Sequence, residues 1–290
     1  MKKLMLGNEA VARGLYEAGC RFVSSYPGTP STEITEAAAE YDEIYAEWAP
    51  NEKVAAESAF GACVEGVRSF TAMKHVGLNV ATDLVFTASY TGVNAGFVIA
   101  VADDQGMHSS QNEQDSRHYA AAAKLPMLEP SDSEECLNYV KLAYKLSEEY
   151  DTPVLMRLST RISHSQSLVE LGGRTEIPTK PYVKNPAKYV MSPANAIRRH
   201  PEVEARTLRL LELANSERVN KIIKGSTKIG VIASGIAYDY AREALGDNAS
   251  YLKLGLLFPL PTDLIREFAA SVDKLYVIEE LDPVIETHVR

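Results

Sequence analysis

Glu52 opens the run Glu52-Lys53-Val54-Ala55-Ala56-Glu57-Ser58-Ala59-Phe60-Gly61-Ala62, a carboxylate at the head of a helix made almost wholly of small residues. Small side chains let a second helix or a flat ring come close, and a carboxylate placed there can share a proton with it. Glu57, five residues on, falls about 140° round the helical wheel, so the two acids cannot occupy one face. Taken without further context, both acids are equally readable as solvated helix residues. A second group of reactive types is Tyr26-Pro27-Gly28-Thr29-Pro30-Ser31, which follows a short apolar strand. Pro27 and Gly28 turn the chain, Thr29 suits an N-cap and Pro30 the first helical position. The free N–H groups of such a helix would accept a carboxylate or phosphate, and an ordinary strand-to-helix turn is the alternative.

Apolar runs of about five residues alternate with helical patterns and position these groups. Helices are expected over 8–18, 30–41, 52–68, 79–91, 115–124 and, from a Ser131/Glu134 capping box, to about 150, with strands over 21–25, 70–73, 97–102 and 153–158. This implies a parallel sheet with helices on both faces, whose ligands gather at the carboxyl ends of the strands. The turns at Tyr26, Lys74 to Gly77 and Asp103-Asp104 all follow strands and should converge there. Beyond 165 the prolines and Gly172-Gly173 mark a connector, with a charged helix over 201–224. A second alternating unit follows, with strands over 228–233, 251–257 and 274–279. The expected organisation is therefore 1–165, 166–225 as connector with helix, and 226–290 as a smaller α/β domain.

At 290 residues and 46% hydrophobic content the chain can bury a substantial core. A formal net charge of -9, without a basic run, argues against a nucleic-acid surface. No stretch of eighteen apolar residues suggests a membrane span, and the leader is too short for a signal peptide, so the expected compartment is the cytoplasm. Cys20, Cys63 and Cys136 are widely spaced and read as buried thiols. No P-loop, dinucleotide glycine fingerprint, His/Cys metal cluster or nucleophile elbow is present.

Tyr26 to Ser31, Glu52 to Ala62 and the loop from Asp103-Asp104-Gln105-Gly106-Met107-His108 to Arg117 together make the chain closely resemble the alpha subunits of the indolepyruvate:ferredoxin oxidoreductase family. These belong to the thiamine-diphosphate-dependent 2-oxoacid:ferredoxin oxidoreductases. The resemblance runs from 7 to about 165 and resumes over 229–289. It implies a pyrimidine-binding type domain followed by a transketolase C-terminal-like domain. It also implies oxidative decarboxylation of a 2-oxo acid to an acyl-coenzyme A.

The resemblance gives the residues roles. Glu52 would hydrogen-bond the aminopyrimidine of thiamine diphosphate and favour its imino tautomer, with Val54, Ala55, Ala56 and Ala59 as apolar surroundings, and Gly28 and Gly77 would lie against the cofactor. Thr29 and Ser31 would hold the substrate carboxylate. Lys74, His75 and Asn79 surround Gly77 where related enzymes contact the ring or substrate; His75 reads equally as a structural histidine. His108 lies in a polar loop, a substrate contact or a solvated tip. Pyruvate-specific relatives grip the carboxylate with an arginine, and none lies near the 97–102 strand, which favours an aryl pyruvate. Mg²⁺ binding in the family uses Gly-Asp-Gly followed by Asn; the nearest match, Gly246-Asp247-Asn248, lacks the second glycine, and no asparagine follows it. Mg²⁺, the diphosphate-binding domain and the ferredoxin-like domain with its 4Fe-4S clusters are thus expected outside these residues, which read as the N-terminal part of a longer chain. Expected partners are a beta subunit, ferredoxin and coenzyme A, with a dimer formed through the small residues of the Glu52 helix. The alternatives are a noncatalytic partner-binding module and another thiamine-dependent decarboxylase or transketolase-like subunit.

Overall fold

The apolar runs near 97 and 154 become neighbouring strands buried along their whole length, as expected for strands covered on both faces. A computed structural model describes all of residues 1–290. The first part of the chain comprises β1 (Lys2–Leu6), α1 (Gly7–Glu17), β2 (Phe22–Ser25), α2 (Thr32–Ala38), β3 (Tyr45–Trp48), α3 (Glu52–Val64) and β4 (Ser69–Lys74). It continues with α4 (His75–Thr91), β5 (Phe97–Asp103), α5 (Arg117–Ala123), β6 (Met127–Leu128), α6 (Ser133–Tyr150) and β7 (Val154–Ser159). Next come α7 (Thr160–His164), β8 (Gln166–Glu170), α8 (Pro186–Tyr189), α9 (Pro193–Ala214) and β9 (Lys221–Ile223). The last part holds β10 (Ile229–Ser234), α10 (Gly235–Leu245), β11 (Ser250–Leu254), β12 (Leu256–Phe258), α11 (Thr262–Ala270), β13 (Lys274–Ile278) and α12 (Val284–Val289).

A seven-stranded sheet runs in the order β12-β6-β7-β5-β4-β2-β3, parallel throughout except that β12 is antiparallel to β6. A four-stranded sheet, β13-β10-β11-β9, is parallel apart from β9, and β1 pairs antiparallel with β8. One core packs α1 and α6 against the first sheet. The other runs without a break from α3, α4 and β5 to Ile232, Leu252, Leu264 and Phe268 of the second unit. No helix is long and apolar enough to cross a membrane.

Several boundaries differ from the sequence expectation. Helix α2 begins at Thr32, so Thr29 is no N-cap and Pro30, which follows a cis peptide, is not helical. Helix α4 begins at His75, making Lys74 its cap and the expected Lys74 to Gly77 turn its first turn. The cap of α6 is Asp132, accepting the Glu135 N–H at 2.7 Å, while Glu135 reaches back to the Ser131 N–H. Helix α9 starts eight residues before Pro201, capped by Ser192 with Pro193 in its first turn, and stops at Ala214, and 221–223 pair as a strand instead. Ala55, Ala56 and Ala59 of α3 are fully buried within their own domain, so they are not available to a partner chain as expected.

The expected strand over 251–257 is divided between the two sheets. Asn220 Oδ1 accepts the N–H groups of both Gly255 and Leu256, at 2.9 and 3.0 Å, where the chain leaves β11 for β12. Beside this crossing lies a buried ionic network. Arg157, alone in the apolar strand β7, donates to Asp103 Oδ2 at 2.7 Å and to Glu129. Arg117 holds Asp115 and reaches Glu279 Oε2 of the second unit at 2.5 Å. Burial pushes the Asp103 carboxyl up, and Arg157 only partly offsets this. Against the cost of burial, the Arg117 guanidinium holds Asp115 low. Arg157→Met strands two buried carboxylates at once. It is expected to cost about 3–5 kcal/mol, read as a lower midpoint in urea unfolding, because breaking a buried pair leaves charge uncompensated.

Candidate cofactor and substrate site

Three segments meet at the carboxyl edge of the first sheet because β2, β4 and β5 are parallel neighbours and end there. Lys74 Nζ donates to the Ser109 carbonyl at 3.0 Å, and Ser109 Oγ donates to the Thr29 carbonyl at 3.3 Å. The Lys74 stem runs along Gly28, where a Cβ would lie 3.3 Å from its Cδ. His75 is buried and its Nε2 donates to the Asn112 carbonyl at 3.0 Å. A carbonyl can only accept, so Nε2 carries the proton and Nδ1 is left as an acceptor, buried and without a partner.

Glu52 belongs to the same cluster. Asn51 caps α3 by accepting the Val54 N–H at 3.0 Å, which fixes the helix start at Glu52. The half-buried Glu52 side chain lies over Gly77 of α4, where an added Cβ would stand 2.6 Å from Oε1. Only glycine at 77 admits the carboxylate at this depth. Val54 is exposed, so the apolar surroundings expected for Glu52 are reduced to the buried alanines. Glu57, on a different face of α3, is exposed and 3.9 Å from Lys53 Nζ.

The other expected residues divide. Thr29 is at the cluster through its carbonyl, whereas the Ser31 hydroxyl is buried and donates to the Gly28 carbonyl at 2.8 Å. The Gly28 N–H is taken by Thr32 Oγ1 at 2.9 Å. With these groups turned inward and α2 only seven residues long, the expected anion site at its start does not form. Asn79 faces outward from α4 and accepts the Tyr119 hydroxyl. His108 lines a separate cleft with Arg161 and His164, whose lining does not include Glu52. Gly246, Asp247 and Asn248 form a 3₁₀ turn that closes α10, with Asp247 paired to Arg242, and hold no metal geometry.

Asp104 is the residue that sequence reasoning missed at this edge. It is buried and accepts from the N–H groups of His108 and Ser109 and the hydroxyls of Ser110 and Thr160, at 2.7–3.2 Å. Burial alone would raise its pKa; the bonds from Ser109, Ser110, Thr160 and His108 hold it at about 2. An acid followed within six residues by two serines was the available signal. Arginine also reaches this edge, contrary to expectation, since Arg157 pairs in register with Val101 of β5, but its guanidinium faces carboxylates. A lone arginine inside Val154-Leu155-Met156-Arg157-Leu158 was its signal. Asp115, His118 and Asp282 bring ligand atoms within 4.8 Å of one another, yet Arg117 and the Asp282 N–H already engage the oxygens of Asp115.

Because the folded pKa of Asp104 lies below its unfolded value, the stabilisation it gives is complete above about pH 4 and is lost as pH falls through about 2, a term of about 2 kcal/mol. Asp104→Asn is expected to abolish this acid dependence and to loosen 105–114 at neutral pH, read as faster amide exchange at His108 and Ser109.

Comparison with known proteins bears on this geometry. Residues 13–221 match the family model for pyruvate flavodoxin/ferredoxin oxidoreductase, thiamine diphosphate-binding. The indolepyruvate oxidoreductase subunit IorA of Methanothermobacter thermautotrophicus is 45% identical over 297 residues, covering 99% of this chain and 48% of that protein. That of Archaeoglobus fulgidus is 42% identical, covering 100% and 48%. The chain therefore spans about half the length of these curated relatives. A solved 2-oxoglutarate:ferredoxin oxidoreductase from Magnetococcus marinus, with 2-oxoglutarate, coenzyme A and succinyl-CoA bound, shares the fold, with TM-score 0.80, 20% identity and coverage of 97% of this chain and 58% of its own. With a family model matched over most of its length, the chain belongs to the thiamine diphosphate-binding pyruvate flavodoxin/ferredoxin oxidoreductase family.

Proposed function

We propose that this chain is the N-terminal part of the alpha-type subunit of a thiamine-diphosphate-dependent 2-oxoacid:ferredoxin oxidoreductase that oxidises indolepyruvate or another aryl pyruvate to its acyl-coenzyme A. The observation that carries the reading is the Glu52 carboxylate, seated over Gly77 at the carboxyl edge of a parallel sheet. The arrangement fits the aminopyrimidine half of the cofactor: a half-buried carboxylate beside a glycine that keeps the approach open, and a buried, unpartnered His75 Nδ1 nearby in the same helix turn. When bound, thiamine diphosphate supplies the nucleophilic carbon that lets the 2-oxo acid lose carbon dioxide.

The chain's own residues orient and exchange protons. Glu52 holds a proton against a ring nitrogen and so favours the tautomer in which the exocyclic amine acts as a base. Lys74, fixed by the Ser109 carbonyl, brings the positive charge of this cluster towards a substrate carboxylate. Thr29 contributes its carbonyl at the rim, and Gly28 keeps the Lys74 stem close. The names of the indolepyruvate oxidoreductase relatives support an aryl substrate, as does the commitment of Arg117 and Arg157 to carboxylates. In this reading Mg²⁺, the diphosphate contacts and the 4Fe-4S clusters belong to the half of the relatives that this chain does not span. A beta subunit, ferredoxin and coenzyme A are the partners. The three buried free thiols accord with a reducing cytoplasm.

A noncatalytic module would leave Glu52 fully exposed with no neighbouring contact, which is not its position here. Glu52→Gln in the complete enzyme is expected to lower indolepyruvate oxidation by about 10² or more with an unchanged circular dichroism spectrum, since the amide cannot hold the proton. Near-normal turnover would withdraw the assignment.

A two-fold dimer, in this reading, forms on the outer face of α3 and α4, where Val54 and Val80 are exposed and a Cβ at Gly61 would meet nothing within 4 Å. Gly61→Arg leaves the protomer fold intact and is expected to shift light scattering at micromolar concentration from dimer to monomer.

A further inference from the structure

The cleft that takes His108 away from Glu52 has a composition of its own. It is a space of about 330 Å³ at the junction of the two units. Gln105 and His108 come from the chain after β5, Arg161 and His164 from the short helix after β7, and Tyr240 and Glu280 from the second unit. Taking ~30 Å³ for each water, the space holds roughly ten non-hydrogen atoms. Tyr240 is its single hydrophobic residue, so the cleft suits a compact polar group and not an aryl ring.

Its donors are uncommitted. Thr160 at the rim is spent on Asp104, but the Arg161 guanidinium is exposed and forms no ion pair within the protein. The Gln105 Nε2 is buried with no acceptor. His164 approaches Glu33 at 3.6 Å. Glu280 is the one acid in the lining, and burial pushes its carboxyl up, which weakens its competition for the cation.

We propose that this cleft binds the anionic head of a small molecule, a phosphate or carboxylate group, with Arg161 as its charged contact and the Gln105 and His108 side chains as further donors. Arginine in this role offers a planar fork matched to either oxyanion. The site is distinct from the Glu52 cluster, and the two share only the loop that Asp104 anchors. Ser109, one residue beyond His108, touches Lys74 and Thr29, so a ligand in the cleft also braces the wall of the other site.

The test is calorimetric titration of the protein in its native assembly with pyrophosphate, inorganic phosphate and acetate. At least one probe is expected to bind with a dissociation constant of about 1 mM or tighter. Arg161→Gln is expected to weaken that binding about tenfold, and Glu280→Gln to strengthen it several-fold. Arg266→Gln, an exposed arginine outside the cleft, serves as the control and should change nothing. Binding of the phosphate probes alone identifies a phosphorylated ligand, and binding of acetate alone a carboxylate; either supports the site. Absence of saturable binding by all three, or equal affinity in Arg161→Gln and the parent, overturns it. The Glu52→Gln variant, which should bind these probes normally, separates failure of this site from failure of the thiamine reading.

Discussion

Four carboxylates and two guanidinium groups, shut away from water at one end of a parallel sheet, are the constraint around which the rest of the molecule is arranged. Asp103 and Arg157 end or interrupt the two central strands, Asp115 and Arg117 open α5, Glu129 follows β6, and Glu279 follows β13 of the second unit. Each charge is tolerable only while its partners stay within hydrogen-bond reach, because the penalty for an isolated buried ion exceeds what apolar packing returns. Ends of five elements are thereby held in one register. Glu129 lies against Gly235, where any side chain would collide with it, so the same acid also sets how closely α10 approaches the first domain.

From this rigid edge the candidate site is hung by a second, lighter device. The loop between β5 and α5 is polar and its Gly106 and Met107 have positive φ, yet one aspartate gathers three of its donors, with Thr160 of α7 as a fourth. A solvated loop would have let Ser109 and Asn112 wander. Fixed through Asp104, they pin the ammonium of Lys74 and the imidazole of His75, and these in turn border the glycine over which Glu52 lies. Position is passed along the loop to the carboxylate through hydrogen-bonded and packed contacts, with the Lys74 stem itself held against Gly28.

Much of this was legible in the chain. Apolar runs of five to seven residues, too short for helices and bounded by turn residues, announced a parallel sheet, and its carboxyl edge predicted that Tyr26, Lys74 and Asp103 would meet. Glu52 and Gly77 were readable as a pair only through resemblance, because nothing in local spacing links residues 25 apart. Local rules failed where tertiary partners overrode them. Thr29 and Pro30 match a helix start, but the Gly28 carbonyl and N–H capture Ser31 and Thr32 and delay the helix by one half-turn. Pro201 reads as a helix start, yet α9 carries it in its interior because Ser192 and Pro193 supply a better one. Ala55, Ala56 and Ala59 of α3 suggested an interface and are instead buried within the protomer, while Gly61 of the same helix stays open. Arg157 and Glu129, far apart in sequence, gave no local sign of each other.

The crossing at Gly255 has a consequence for how this chain can be dissected. By sequence the seam between two modules falls at the 166–225 connector; in space the chain of the small sheet also carries the outermost strand of the large one, β12. Cutting the polypeptide ahead of the second unit would strip β12 from β6 and uncover Leu128 together with the apolar wall now shared with Leu252 and Leu264. An unpaired, hydrophobic strand edge is a template for sticking to other chains. The first domain expressed by itself would therefore be a polymerising fragment, and the two units are better regarded as a single inheritance unit than as modules free to be exchanged.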